Sequence, residues 1–180
     1  MSPRHIVVVP YDPAWVSEFE RESRRITQAL DDLVVRLHHI GSTAIPGIFA
    51  KPIIDMLLEV DDIGELDRKT AALGGLGYEV HGEFGIPARR YFRKNDQSGV
   101  RTHQIHSFQV GSPEIERHLA FRDYMIAHPA DARQYSELKR RVATEYPDDI
   151  ESYMDGKDPF IKKHEAKALA WRGSQNTSQT

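Results

Sequence analysis

The stretch HHIGSTAIPGIFAKPIIDMLLEV, residues 38–60, combines a glycine–serine turn with an acidic residue inside an apolar run. Gly41 and Ser42 follow an apolar segment, and such small residues let backbone N–H groups approach a phosphate closely. Asp55 interrupts the apolar run, and a carboxylate is costly to bury unless something pairs with it or uses it. The combination of the turn and the acid favours a phosphate site at one end of the sheet. The alternative is a tight turn beside an aspartate that backbone donors, Lys51 or an arginine hold.

The turn differs from a Walker A loop, whose pattern is G-x-x-x-x-G-K-[ST]. Gly41 and Gly47 are separated by five residues rather than four, and Lys51 lies four positions beyond the second glycine. The spacing therefore disfavours a kinase of the P-loop type. A basic side chain such as Lys51 could still neutralise charge that develops on a bound phosphate.

A predicted β-hairpin carries a cluster of basic residues. Its segments ARRYFRK and VRTHQIHSFQV flank the turn-forming sequence NDQSG. The arginines of this cluster are Arg89, Arg90, Arg93 and Arg101. In a register with Lys94 opposite Val100, two of these arginines, Arg93 and Arg101, face each other, and their charges repel unless an anion lies between them. The alternative is a charged, solvated edge strand.

Two histidines on the second hairpin strand are candidate site residues. His103 and His106 are three residues apart, so on a regular strand they point to opposite faces, and both could reach the same ligand only if the strand were distorted. We favour His106, which shares a face with the polar residues Thr102 and Gln104. For each histidine the alternative is an ordinary side chain without a ligand.

Composition limits the class of protein. At 180 residues with 39% hydrophobic side chains, the chain has the size of one domain and can form a core. It contains no cysteine, which excludes disulfides and thiolate zinc sites and favours a reducing compartment, so we expect a cytoplasmic protein. No apolar run approaches the roughly 20 residues that span a bilayer, so no membrane association is expected. The net charge of −3 disfavours duplex nucleic acid as a partner.

Hydrophobic periodicity and turn signals predict strands and helices in the first two-thirds of the chain and helices in the last third. The predicted strands cover residues 6–9, 33–40, 51–60, 88–94 and 100–110, and the predicted helices cover residues 13–30, 62–73, 112–128, 130–146 and 157–171. The strand with Asp55 is expected to be central, because it is otherwise apolar on both faces. This pattern is typical of an α+β fold in which helices flank a mixed sheet and the C-terminal helices pack on it. We expect one domain over residues 1–172 and a disordered tail over residues 173–180.

Several segments in order along the chain carry a family resemblance: VVPYDPAWVSEFERE, HIGSTAIPGIFAKPIIDMLLEV, GIPARRYFRK, RTHQIHSFQVGSPEIERHLAFRDYMIAHP and DGKDPFI. They resemble the GrpB-like family, a branch of the polymerase-β-type nucleotidyltransferase superfamily. Together they cover about residues 7–162. An ordered set of this length is specific for the family, and it implies a nucleotidyltransferase-like mixed sheet.

The resemblance implies roles for the turn and for the acid. In the superfamily a Gly-Ser turn precedes a strand that carries two carboxylates one residue apart. Gly41, Ser42 and Thr43 match the phosphate-binding turn. Asp55 matches the first carboxylate, which implies a divalent ion, Mg²⁺ or Mn²⁺. Leu57 stands where the second carboxylate would be.

Other residues must complete such a site. Glu59 shares a strand face with Asp55, but four residues at about 3.3 Å each place it roughly 13 Å away. Two catalytic metal ions lie only about 3.5–4 Å apart. We therefore predict that the hairpin contributes His106, as a metal ligand and catalytic residue, together with its arginines. Lys51, and Lys157 in the segment DGKDPFI, are predicted to contact phosphate.

The resemblance implies transfer of a nucleoside monophosphate from a metal-bound NTP to an acceptor, which is a small molecule or a macromolecule. Asp55 would hold the ion, and an acceptor hydroxyl or phosphate would attack in line. The alternative is a nucleotide-binding, anion-binding or interaction module that kept the fold and lost the two-metal centre. Leu57 favours this alternative, whereas the glycine–serine turn and the basic hairpin favour an anion site in either case.

Overall fold

The computed structural model describes residues 5–178 and contains a five-stranded mixed sheet with helices on both faces. The strands are β1 (Val34–Ile40), β2 (Ile54–Val60), β3 (Tyr78–Val80), β4 (Arg90–Asn95) and β5 (Arg101–Gln109). The helices are α1 (Ala14–Leu30), α2 (Ile63–Arg68), α3 (Thr70–Gly74), α4 (Pro113–Ala127), α5 (Pro129–Glu145) and α6 (Ile150–Thr177), with 3₁₀ turns at Asp31–Leu33 and Ser42–Ala44. The strand order is β1-β2-β5-β4-β3. The predicted α+β class is confirmed.

The first face of the sheet packs against α1. Trp15, Ile26 and Leu30 recur at helical spacing on α1 and are at most 4% exposed, as the amphipathic pattern of the sequence predicts. They belong to one cluster with apolar side chains of β2, β4 and β5: Met56, Leu58, Val60, Phe92 and Ile105. Asp12 helps to start the helix, because its Oδ1 accepts a 2.9 Å hydrogen bond from the backbone N–H of Ala14.

The second face of the sheet carries Asp55 and packs against α4. Side chains alternate along β2, so Asp55 and Leu57 both lie on this face. Leu57 packs with Ile115 of α4 in an apolar cluster. Arg122 of α4 donates a hydrogen bond of 3.0 Å to the backbone carbonyl of His39. The helix α4 is therefore joined to β1 beside the turn.

The strand β2 is central, as the sequence predicts. It pairs antiparallel with β1 and parallel with β5. The parallel register aligns Asp55 with Gln104 and Leu57 with His106. Parallel neighbours need a long crossover connection, and α2, α3, β3 and β4 provide it. Strands buried on both faces are apolar throughout, which accounts for the composition of β2.

The N-terminal segment differs from its prediction. Residues 6–9 form no strand among the described residues and make only an isolated bridge between Val9 and Ala50. The backbone N–H of Ile6 instead donates to the carbonyl of Pro147 at 2.7 Å. Apolar composition alone does not show whether a segment finds a strand partner, and here the run packs against the C-terminal helices.

The helices and β3 also differ from prediction. The helix predicted over residues 62–73 is divided at Lys69 into α2 and α3. β3 has three residues, too few for an alternating pattern to be recognised. The last helix begins at Ile150 and continues to Thr177, so the segment expected to be a disordered tail is helical up to that residue, and its final two residues lie outside the described part. Within residues 5–178, none of the helices combines the length and apolar character that a bilayer crossing requires.

Candidate functional site

Asp55 has a buried carboxylate oxygen that none of the described residues satisfies with a hydrogen bond. Its Oδ1 is shielded from solvent and has no hydrogen-bond partner within residues 5–178, although the side chain as a whole is 26% exposed. Nε2 of His106 lies 3.4 Å from this oxygen, near it but not aligned for a hydrogen bond. A buried, unsatisfied polar atom costs on the order of 1–3 kcal/mol. Such an oxygen indicates a position where a cation or a ligand donor fits.

The glycine–serine turn runs directly over this carboxylate. Gly41 has a positive φ of 73°, and a β-carbon at this position would lie 2.8 Å from Oδ2 of Asp55. Glycine allows the backbone to come this close. Ser42 begins the following 3₁₀ turn, and its side chain lies close to the side chain of Tyr135 of α5. The turn and the acid, which are separate in the sequence, are in contact in the fold.

Thr43 has its hydroxyl engaged inside the protein. It is 1% exposed, donates to the backbone carbonyl of Ile53 at 3.2 Å and contacts Nε2 of His39 at 2.9 Å. His39 stacks on Phe19 of α1 with 4.9 Å between ring centres. Burial lowers the pKa of His39 to about 4, so its ring is neutral at pH 7. These contacts connect β1, the turn and the start of β2, so Thr43 helps to position the turn.

Three lysine amines surround two buried tyrosines beside the turn. Nζ of Lys157 lies 4.3 Å from the ring centre of Tyr153, and Nζ of Lys51 lies 5.2 Å from the same ring. Nζ of Lys139 lies 4.4 Å from the ring centre of Tyr135. Lys139 is 1% exposed, and neither its amine nor the Tyr153 hydroxyl has a hydrogen-bond partner in the described part of the chain. We call these three lysines and two tyrosines the lysine cluster.

Burial and mutual repulsion disfavour the charged forms of these amines. Burial, together with the charges of Lys157 and Lys51, lowers the pKa of Lys139 to about 6. Burial and Lys51 lower the pKa of Lys157 to about 7, against the opposing effect of Asp55. Burial also lowers the pKa of Lys51, again against Asp55. A bound anion would favour the protonated amines, so the lysine cluster is suited to binding one.

The sequence pattern indicates Lys51 and Lys157 as site residues but not Lys139 or the two tyrosines. A signal for Lys139 is present, because it belongs to the buried stripe of α5 rather than to its polar face: Ala132, Tyr135, Ser136, Lys139, Val142 and Ala143. Lysine is almost never fully buried unless it is paired. A lysine inside an apolar stripe therefore signals a candidate site even before its neighbours are known.

Position 57, where the sequence resemblance implies that a second carboxylate would stand, is apolar in the fold as well as in the sequence. Leu57 is fully buried in a cluster with Phe108 and Ile115. Glu59 contacts Nε2 of His38 at 2.5 Å, so its carboxylate has another partner. Within residues 5–178, no group of three or more His, Cys, Asp or Glu side chains converges where a metal ion could bind. The described side chains alone offer too few ligands for a complete metal site.

The hairpin register differs from the one assumed for the sequence. Arg93 lies opposite Gln104, and Arg101 lies opposite Asn95, so the prediction that Arg93 faces Arg101 is wrong. An irregularity near the end of β4 shifts the ladder, and sequence spacing does not reveal such an irregularity. Arg101 donates a 2.8 Å hydrogen bond from Nε to Oδ1 of Asn95, and its charge acts on Lys51. Arg101 therefore lies within electrostatic reach of the lysine cluster.

The remaining hairpin residues are divided between the two faces of the sheet. Arg90 lies on the first face, where its Nε donates to Oδ1 of Asp67 at 2.7 Å. His103 also lies on the first face, as its spacing from His106 predicts. Arg89 is 7% exposed, and its guanidinium contacts His106. The predicted residues that the fold gathers around the turn are Gly41, Ser42, Lys51, Asp55, His106 and Lys157.

The sequence matches known proteins over most of its length. The family described as GrpB protein matches residues 5–167. The UPF0157 protein YqkA of Bacillus subtilis is 41% identical over 97% of this chain and 50% of that protein, so the chain spans about half the length of this relative. The UPF0157 protein PA4798 of Pseudomonas aeruginosa is 40% identical over 92% of this chain and 68% of that protein.

A solved structure shares the fold described above. The crystal structure of the conserved protein GrpB from Enterococcus faecalis superimposes with a TM-score of 0.88 at 44% identity, and the alignment covers 92% of this chain and 99% of that chain. The sequence matches and the structural match cover nearly the same part of this chain. The chain belongs to the GrpB family, as its ordered sequence segments predict.

Proposed function

We propose that this chain binds a nucleoside triphosphate at the lysine cluster and transfers the nucleoside monophosphate to an acceptor, either a small molecule or a macromolecule. The observation that carries the proposal is the lysine cluster itself, three amines beside Ser42 and Asp55. The Lys139 amine is buried and has no hydrogen-bond partner among the described residues. A triphosphate carries several negative charges in a compact group and would satisfy these amines. The absence of cysteine supports a cytoplasmic location for this activity.

Residues of the chain have separate tasks in this reaction. Lys51, Lys139 and Lys157 donate hydrogen bonds to phosphate oxygens and neutralise the charge that builds up on the leaving pyrophosphate. The Ser42 hydroxyl and the backbone of the turn bind a phosphate beside Asp55. The acceptor hydroxyl or phosphate attacks the α-phosphorus in line, a new P–O bond forms, and the bond to the leaving pyrophosphate breaks. The proton of a hydroxyl acceptor passes to solvent.

Asp55 fits a divalent cation that arrives with the nucleotide. Its buried Oδ1 lacks a partner among the described residues, and Mg²⁺ commonly binds through one or two carboxylates together with substrate phosphates and water. A complete set of protein ligands is therefore not required. When bound, Mg²⁺ or Mn²⁺ would neutralise charge on the phosphates. With Leu57 in place of a second acid, the proposal requires one ion held by the protein rather than two.

A second candidate function is nucleotide or anion binding without catalysis. Leu57 favours it, because this fully buried leucine occupies the place of the second carboxylate. Such a module would bind the same triphosphate through the lysine cluster and leave it intact. The two candidate functions therefore predict the same nucleotide binding and differ in whether the bound nucleotide reacts.

Binding is tested by titration calorimetry with ATP, GTP, CTP and UTP, each in the presence of Mg²⁺, Mn²⁺ or EDTA. We expect Lys139→Met to weaken binding about tenfold or more, because it removes a charge-assisted hydrogen bond. We expect Asp55→Asn to abolish the effect of the metal ion on affinity. Lys163→Met is the matched control, because Lys163 is an exposed lysine of α6. Equal affinities of Lys139→Met and Lys163→Met would contradict the proposed site.

Transfer is tested separately with NTPs labelled at the α-phosphate and with pools of small molecules, RNA and proteins as acceptors. Incorporation of the α-label together with release of pyrophosphate supports nucleotidyl transfer. Tight binding with no label incorporated from any pool supports the second candidate function. Transfer that is unaffected by Asp55→Asn would contradict the role of Asp55.

A further inference from the structure

Arg89 is a buried arginine whose donors point at two backbone carbonyls and one imidazole. It is 7% exposed. Its Nε donates to the carbonyl of Glu83 at 3.1 Å, and Nη2 donates to the carbonyl of Phe84 at 2.6 Å. Nη1 lies 3.3 Å from Nδ1 of His106. The guanidinium carbon lies 4.9 Å from the ring centre of Tyr91, so Arg89 is fixed in place between the loop before β4 and the strand β5.

The contact between Arg89 and His106 decides which ring nitrogen of the histidine carries hydrogen. A guanidinium has only donors and no acceptor, so Nδ1 of His106 must accept and therefore carries no hydrogen. In the neutral imidazole the hydrogen is then on Nε2. This is the atom that lies 3.4 Å from Oδ1 of Asp55. His106 consequently presents a donor, and not a lone pair, to the carboxylate.

Two other aromatic rings lie close to His106, and the hydrogen bond found for its Nδ1 within residues 5–178 is the one to Arg89. The ring centre of His118 lies 5.5 Å from that of His106, and the ring centre of Tyr91 lies 5.3 Å from it. Burial, with His106, Arg117 and Arg89 acting in the same direction, lowers the pKa of His118 to about 3. His118 therefore stays neutral and adds no charge that would displace the Arg89 donor.

We propose that Arg89 is a positioning residue that holds His106 in the Nε2–H tautomer, so that His106 orients the carboxylate of Asp55 instead of binding a metal ion. A metal ion bound by Nε2 would need the lone pair of that nitrogen. The hydrogen would then have to move to Nδ1, where it would meet the Arg89 donor. Carboxylates that bind metal ions commonly accept a hydrogen bond from a neighbouring side chain, and Nε2–H of His106 could supply one once the present 3.4 Å separation from Oδ1 shortens. The cation at Asp55 rests on the proposed function, whereas the tautomer of His106 does not.

The tautomer is measured on protein labelled with ¹⁵N-histidine, in a long-range ¹H–¹⁵N spectrum at about pH 9, where an ordinary imidazole is neutral. We expect hydrogen on Nε2 and none on Nδ1 of His106. His128 and His164 serve as internal references of the opposite tautomer, because Nδ1 of each lies 2.8 Å from a backbone carbonyl. Hydrogen on Nδ1 of His106 in the wild-type protein would overturn the proposal.

Two variants test the part played by Arg89. Arg89→Met should replace the single Nε2–H signal pattern of His106 with a mixture of both tautomers. Arg93→Met should leave the pattern unchanged, because Arg93 contacts His81 rather than His106. An unchanged pattern in folded Arg89→Met would overturn the positioning role.

The same spectrum of wild-type protein with Mg²⁺ and ATP tests the proposal even if circular dichroism shows that Arg89→Met does not fold. The expected result is that His106 keeps hydrogen on Nε2. Movement of the hydrogen to Nδ1 on addition of Mg²⁺ and ATP would make His106 a metal ligand and overturn the proposal. A protein that binds no nucleotide and still shows hydrogen on Nε2 would refute the proposed function while supporting the tautomer assignment.

Discussion

The carboxylate of Asp55 occupies the space that a side chain at Gly41 would need. A β-carbon on Gly41 would lie 2.8 Å from Oδ2 and 3.0 Å from the β-carbon of Asp55, and φ at Gly41 is 73°. We expect Gly41→Ala to lower the free energy of unfolding by roughly 2–5 kcal/mol, because strained backbone and crowding add. Urea denaturation measures this loss.

The variant Gly47→Ala separates the cost of backbone strain from the cost of crowding. Gly47 has a φ of 81°, but among the described residues no atom lies within 4 Å of the added β-carbon. This variant should lose only about 1–2 kcal/mol, from the left-handed backbone. If both alanine variants are equally stable, crowding against Asp55 is not the reason that position 41 requires glycine.

Lys139 should make the protein more stable as the pH rises. Burial and its neighbours lower its pKa to about 6, whereas a lysine in the unfolded chain has a pKa of about 10.4. Between these values the unfolded chain binds more protons than the folded chain, so the free energy of unfolding increases with pH. The increase is at most about 1.4 kcal/mol per pH unit for this group.

Denaturation with urea at several pH values between about 7 and about 9 measures this slope. Lys139→Met should reduce it, and Lys163→Met should not, because Lys163 is exposed. Lys157, with its pKa lowered to about 7 by burial and Lys51, maintains part of the slope in both variants. A wild-type slope in Lys139→Met would show that this amine is not kept neutral in the folded protein.

Affinity for a triphosphate should fall as the pH rises. In the free protein the pKa values of Lys139 and Lys157 are lowered to about 6 and about 7, and a bound polyanion would return protons to both amines. The dissociation constant should therefore increase with pH, by at most about tenfold per pH unit for each proton taken up. The terminal phosphate contributes little to this change at higher pH, because a phosphate monoester with a second pKa of about 6 is already deprotonated there.

Calorimetry with a non-hydrolysable ATP analogue, in two buffers of different ionisation enthalpy, counts the protons taken up on binding. Lys139→Met should take up fewer protons than the wild-type protein, and Lys163→Met should match it. An equal heat in both buffers for the wild-type protein would mean that the lysine cluster does not gain protons from the ligand.

The stability of the folded protein should depend on the contact between Glu22 and Lys94. Glu22 is 5% exposed, and its Oε1 accepts hydrogen bonds of 2.8 Å from both Lys94 and the hydroxyl of Tyr78. Burial raises the pKa of Glu22, but these two partners outweigh it and hold the pKa below its ordinary value. Lys94→Met leaves a buried carboxylate with a weaker set of partners, so we expect a loss of about 3–5 kcal/mol in the free energy of unfolding.

The double variant Glu22→Gln with Lys94→Met is the control, because it removes the charge together with its partner and should recover part of that loss. Because the folded pKa of Glu22 is depressed, its contribution is present above the unfolded pKa and disappears as the pH falls through the folded pKa. Urea denaturation at neutral and acidic pH measures both effects. A Lys94→Met protein within about 0.5 kcal/mol of wild type would contradict this account.

Local elements with a strong pattern could be predicted from the sequence. The spacing of Trp15, Ile26 and Leu30 predicts α1, and the apolar run around Asp55 predicts β2 and its central place in the sheet. The register of the hairpin could not be predicted, because an irregularity near the end of β4 places Arg93 opposite Gln104. β3 also gives no recognisable pattern, because only three residues form it.

The sequence by itself determined the family, the glycine–serine turn before Asp55, and the leucine at position 57, because residue type and local spacing carry this information. Only the tertiary structure decided that Lys139 joins Lys51 at the turn and that Arg90 lies on the other face of the sheet. These arrangements depend on strand register and on how α5 and α6 pack against each other and against the segment that follows the turn. Contacts between residues far apart in the chain follow from that packing, which no local pattern specifies.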